Sequence, residues 1–239
     1  MSAADRPREL GDTHEARWLS NTRTTAAAAG VFAGLVLALV VALAAFGDHP
    51  FRYYSADPAT TLSASSSLVG LMSHTGVLLV WGAAAVSVFA GVFVARARGW
   101  RAAAPVLVLG LEVGYLAMDD LFLLHESVFP FLLDVEEELV LAAYVAGLLV
   151  TLWWLRHFLR RYDWPLLAFA LGALAPAVVL DLEEVEPLFD DALRRWLEDG
   201  TKLVGLSFLA AFLVRLSARM LVEAYPLARS TRAFASQAE

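Results

Sequence analysis

Cysteine is absent, and charge is scarce: Asp, Glu, Lys and Arg make up 18% of the 239 residues. The first absence excludes a disulfide framework, a thiolate metal centre and a cysteine nucleophile. The second accompanies a hydrophobic share of 59% and a mean hydropathy of +0.62. A soluble domain is nearer half apolar and a quarter charged, so one core could not hide this surplus. A soluble enzyme, a disordered chain and a nucleic-acid binder are all excluded. Short alternating strands are missing too, which excludes a β-barrel. No Gly-x-Ser-x-Gly elbow and no Glu-x-x-His occurs, and His125-Glu126 continues Ser-Val-Phe, so it is not a His-Glu-x-x-His zinc motif.

What is present is apolar sequence in blocks of about twenty residues, the length at which a helix crosses a bilayer. The blocks fall at about 24–46, 68–95, 102–124, 139–157, 164–180 and 203–221. They predict an all-α integral membrane protein, a six-transmembrane-helix bundle within 24–222, because lipid leaves backbone groups to be satisfied inside each helix. Residues 1–23 and 223–239 are expected to be cytoplasmic tails, the first disordered. Ala42-Leu43-Ala44 fits a small-x-small cleavage pattern, but the long acidic leader and long apolar stretch favour an uncleaved span. A short amphipathic helix at about 187–197 carries Asp190, Asp191, Arg194 and Arg195 opposite Phe189, Leu193 and Trp196. It is expected to lie flat on the outer interface.

Basic residues set the orientation. Of 18, 14 fall in the first tail, after spans two and four, and around or after span six. The positive-inside rule therefore places both termini in the cytoplasm, in the cell membrane. Small residues recur every fourth position at Gly30, Gly34, Ala38 and Ala42, and again at Ala83, Ser87 and Gly91. Such ridges pack helices within a bundle or between two copies of a chain. The expected partners are the bilayer and a second copy, with no nucleic acid.

Of the 25 acids, 17 fall on or near the outer side. Asp134 with Glu137 resembles a capping box, and Glu136, Glu137 and Glu138 suit the positive end of span four. Glu112, Asp119 and Glu126 are harder to dismiss. Spaced by sevens, they share one helical stripe with Tyr115 and Phe122. An acid at the centre of a span costs about 2.5–3.5 kcal/mol, so this stripe is expected to face protein or water.

Other spans bring ionisable groups to the same level: His74, then Asp181, Glu183 and Glu184, and a Glu198–Lys202 pair one turn apart. With Asp120 and His125 they outline a polar outer cavity. The candidate metal ligands are His74, Asp119, His125, Glu126 and Glu184. Mixed imidazole and carboxylate donors suit zinc, manganese or iron. Such a divalent metal would activate water against a lipid or lipid-linked ester or amide, with Asp119 or Glu126 as base and Lys202 steadying negative charge. Two other readings are open: proton or cation translocation through the intramembrane carboxylates, with Glu112 as the inward step, and a non-catalytic scaffold or assembly factor.

Overall fold

A computed structural model describes residues 22–47, 53–54, 70–180 and 190–237, with side chains at 191–192 and beyond 224 left aside. These residues are largely helical: α1 (Thr22–Phe46), α2 (Leu71–Arg98), α3 (Trp100–Phe122), α4 (Phe129–Leu133), α5 (Glu137–Leu159), α6 (Trp164–Leu180) and α7 (Asp191–Gln237). Five stretches are long and apolar enough to cross a membrane: α1, α2, α3, α5 and Leu193–Ala224 of α7. Helix α6 is apolar but has 17 residues, about 25 Å of helix against a hydrocarbon core of about 30 Å.

The core lies where α2 and α7 pack on each other, with α3 against α2 and α6 against α7. Small residues allow these contacts. A Cβ on Gly110 would stand 2.9 Å from Ser87 Cβ, and one on Gly205 would stand 3.0 Å from the Ala170 carbonyl oxygen. The Ala83, Ser87 and Gly91 ridge is buried inside the bundle, whereas Gly34, Ala38 and Ala42 face outward on α1. Only Gly99 separates α2 from α3, and its φ of 86° is a conformation glycine reaches without a Cβ clash.

Two expectations are corrected. Residues 191–197 of the helix foreseen at 187–197 run without a break into the span foreseen from 203, within one helix, Asp191–Gln237. No proline or left-handed residue interrupts 197–203, and the start of the helix is held by Arg194. That side chain is buried, donates to the Leu180 carbonyl at 2.8 Å and pairs with Glu198 at 3.2 Å. A cation is thereby placed at the carbonyl end of α6, where the helix dipole favours it. Nor does the capping box form. Asp134 takes a left-handed conformation (φ 52°) that closes α4, and Glu136 becomes the N-cap of α5 without a side-chain bond.

At the end of the bundle opposite Asp119, the link between α5 and α6 is locked to α1 and α7. Arg215 is 1% exposed, and its Nε donates to Asp163 Oδ2 at 2.6 Å. Arg219 adds a bond of 3.0 Å, Thr22 donates to Asp163 Oδ1, and Arg215 Nη1 reaches Thr25 at 2.9 Å. Burial pushes the Asp163 carboxyl up, but hydrogen bonds from Arg215, Thr22 and Arg219 outweigh it and hold the group below the ordinary aspartate range. Its contribution to stability is therefore full above the unfolded pKa of about 3.9 and is lost as pH falls through the lower folded value. Asp163→Asn strands a buried guanidinium. It is expected to cost about 3–5 kcal/mol in a denaturation assay and to shrink the acid-induced loss of stability. Adding Arg215→Met should restore much of the loss, and a neutral Asp163→Asn would contradict the lock.

Candidate functional site

The break after α3 builds the site. Helix α3 ends at Leu123, a leucine in the left-handed region (φ 51°, ψ 44°) whose N–H donates to the Asp119 carbonyl. That conformation costs a β-carbon-bearing residue about 1–2 kcal/mol. The Leu123 side chain is buried, and burying a leucine returns about 1.5–3 kcal/mol, enough to hold the break. A π-helical turn, Leu124–Val128, follows and turns His125 back toward α3.

His125 Nδ1 then donates to Asp119 Oδ2. Tyr144 of α5 donates to the other oxygen, Oδ1, at 2.8 Å. Having given its only proton to Asp119, Tyr144 accepts from Tyr115 at 2.9 Å. Asp119 is 4% exposed, so both oxygens of a buried carboxylate have donors. The rings of Tyr115 and Tyr144 meet edge to face at 5.6 Å, and His125 approaches Tyr144 edgewise at 6.3 Å. The hydrogen bond to Asp119 raises the His125 imidazole above the ordinary histidine range; burial opposes this, and Glu126 and Glu137 reinforce it. His125 Nε2 lies 3.7 Å from Glu126 Oε1, with Glu126 41% exposed and His125 12% exposed.

The predicted residues thus divide into separate groups. Asp119, His125 and Glu126 meet, but through the π turn; the seven-residue stripe ends at the left-handed Leu123. Asp120, one residue and about 100° on, faces the other way. It takes the Lys202 ammonium from α7. Lys202 also lines a small cleft with Met72, Ser73, Gly76, Asp199, Leu203 and Leu206. His74 stands half-buried in the first turn of α2, its N–H bonded to the Gly70 carbonyl at 2.8 Å. Glu112 lies deeper on α3 beside Thr151 of α5. Asp181, Glu183 and Glu184 fall outside the described residues. Among the described residues, no three His, Asp or Glu side chains are gathered so as to share one metal ion.

A family described as "Domain of unknown function (DUF8692)" matches residues 28–216. The chain belongs to that family. The matched region takes in every residue of the Asp119 cluster and stops short of Arg219. No curated protein and no solved structure matches the chain.

Sequence reasoning overlooked Tyr144, whose only signal was a phenol in an apolar helix at the depth of Asp119. Removing its hydroxyl leaves a buried carboxylate oxygen bare. Tyr144→Phe is expected to cost about 1–3 kcal/mol in the wild type and much less on an Asp119→Asn background. Equal costs on both backgrounds in a double-mutant cycle would contradict the bond.

Proposed function

We propose that this chain is a six-span protein of the cell membrane, termini cytoplasmic, that hydrolyses a lipid or lipid-linked ester or amide at the outer leaflet. The observation that carries this reading is the Asp119–His125–Glu126 corner: Nδ1 is tied to a carboxylate, and Nε2 lies 3.7 Å from a second one. A water bridging the two atoms through ordinary hydrogen bonds would hold them about 4.6 Å apart. A tetrahedral cation bound at about 2.0–2.2 Å to each would hold them about 3.4 Å apart. The spacing is closer to the second. His125 and Glu126 are thus assigned as two ligands of a divalent metal (zinc, manganese or iron), with Glu184, which lies outside the described residues, kept from the sequence as a candidate third.

Asp119 stands behind His125, fixing its tautomer and ring direction rather than binding the ion itself, and Tyr144 holds Asp119 in place. When bound, the metal supplies a water acidic enough to attack an acyl carbon near neutral pH. The second oxygen of the half-exposed Glu126 receives the proton and passes it to the leaving alcohol or amine. The orientation is supported by the opposite end of the bundle, where Arg98, Arg156 and Arg219 accompany the exposed rings of Trp100, Trp153, Trp154 and Trp164. Arginines accumulate on the cytoplasmic side, and tryptophans mark a membrane–water interface.

Elemental mass spectrometry of the detergent-purified protein tests the reading. About one equivalent of zinc, manganese or iron is expected in the wild type and none in His125→Ala or Glu126→Gln. Asp119→Asn is expected to weaken binding about 10–100-fold. No metal in the wild type after incubation with each ion would overturn the assignment.

A further inference from the structure

Glu112 occupies the middle of α3, about 10 Å along the helix from Asp119, and the corner proposed as hydrolytic does not use it. One carboxyl oxygen meets the Thr151 hydroxyl of α5. The other, Oε2, is buried and has no hydrogen-bond partner among the described residues. The surrounding helices carry no compensating charge. No Asp, Glu, Lys, Arg or His occurs in 24–46, in 75–95, in 139–155, in 164–180 or in 203–214. Tyr115, one turn along α3, is the nearest titratable group on its own helix; from α5 the groups facing this seam are Thr151 and Tyr144.

An ionised carboxylate here would hold a bare oxygen among apolar side chains, with no cation in the stretches of the neighbouring helices just named. A group in that position neutralises itself instead of paying the full cost of a buried charge. A protonated carboxyl leaves only an O–H without an acceptor, a far smaller penalty. We infer that Glu112 carries a proton in the membrane-embedded protein and is a proton-binding site on the α3–α5 seam. Its ligand is the proton itself. The Tyr115 hydroxyl, which continues toward Tyr144, is the first polar group on the way to the Asp119 end. The site stands whether or not a metal binds at His125.

Dicyclohexylcarbodiimide, an apolar reagent for protonated carboxyls, is the probe. The carboxyl O–H adds across one C=N bond of the reagent, and the O-acylisourea rearranges to a stable N-acylurea, with nothing oxidised and nothing released. The full chain in phosphatidylcholine vesicles at neutral pH is expected to gain one such adduct, mapped by peptide mass to Glu112 and absent in Glu112→Gln. Infrared spectroscopy of the same samples should show the carbonyl band of a protonated carboxyl, lost in Glu112→Gln. That variant should fold and melt like the wild type, since a neutral carboxyl and an amide share shape and charge. Overturning results would be no adduct at Glu112, an infrared band that survives the substitution, or a Glu112→Gln variant that fails to fold, which would mean the ionised form is the one the fold needs.

Discussion

A buried carboxylate in an apolar bundle must be given donors, and Asp119 sets the terms for its whole end of the molecule. Its two oxygens draw on two different elements, the π turn after α3 and helix α5. Neither donor would be in place without the left-handed Leu123, which stops α3 and lets the chain double back. The same carboxylate gives α5 a polar anchor on the bundle. That helix faces outward along most of its length, with Leu149, Val150, Trp153 and Trp154 exposed, and it meets α3 through Tyr144 and Thr151 as well as through apolar contacts. Helix α3 is thus the hub of this end, sending Asp119 toward α5 and Asp120 toward Lys202 on α7.

The two ends of the bundle solve the burial of charge by opposite means. At the Asp163 end an arginine is the most deeply buried ion, and one carboxylate, two threonines and a second arginine surround it. That arrangement gives each of its three nitrogens an acceptor and suits a fixed joint between α1, α7 and the α5–α6 link. At the Asp119 end the carboxylate is saturated while the imidazole it orients keeps Nε2 directed toward the surface carboxylate of Glu126. A saturated network holds a fold together; one that ends on an oriented ring nitrogen can do chemistry. Between them the middle of the bundle holds few polar contacts, chiefly the Ser217 hydroxyl donating to Ser87 at 3.1 Å and the Glu112–Thr151 contact.

The helices were largely legible in the sequence, because apolar runs bounded by charge or glycine leave little choice in hydrocarbon. The runs at 102–124 and 164–180 became Trp100–Phe122 and Trp164–Leu180. The last helix was misdivided: Asp190, Asp191, Arg194 and Arg195 resembled the polar side of a surface helix, yet Arg194 turns inward to the end of α6. Asp119 and His125 were both legible as site residues, but their pairing was not. It depends on a leucine adopting a conformation that local rules disfavour, and its compensation is tertiary burial. For the same reason Glu126, foreseen on one stripe with Asp119, reaches the site through the turn instead. Arg215 looked like one more flanking cation, since its buried partner sits 52 residues earlier in the chain.

The pairing of Asp119 with His125 is the central claim, and solid-state nitrogen-15 spectroscopy of histidine-labelled protein in bilayers tests it directly. One histidine is expected whose Nδ1 is protonated and carries a strongly low-field proton, a signal that disappears in both Asp119→Asn and His125→Ala. A His125 signal that matches free imidazole in water, unchanged by Asp119→Asn, would contradict it.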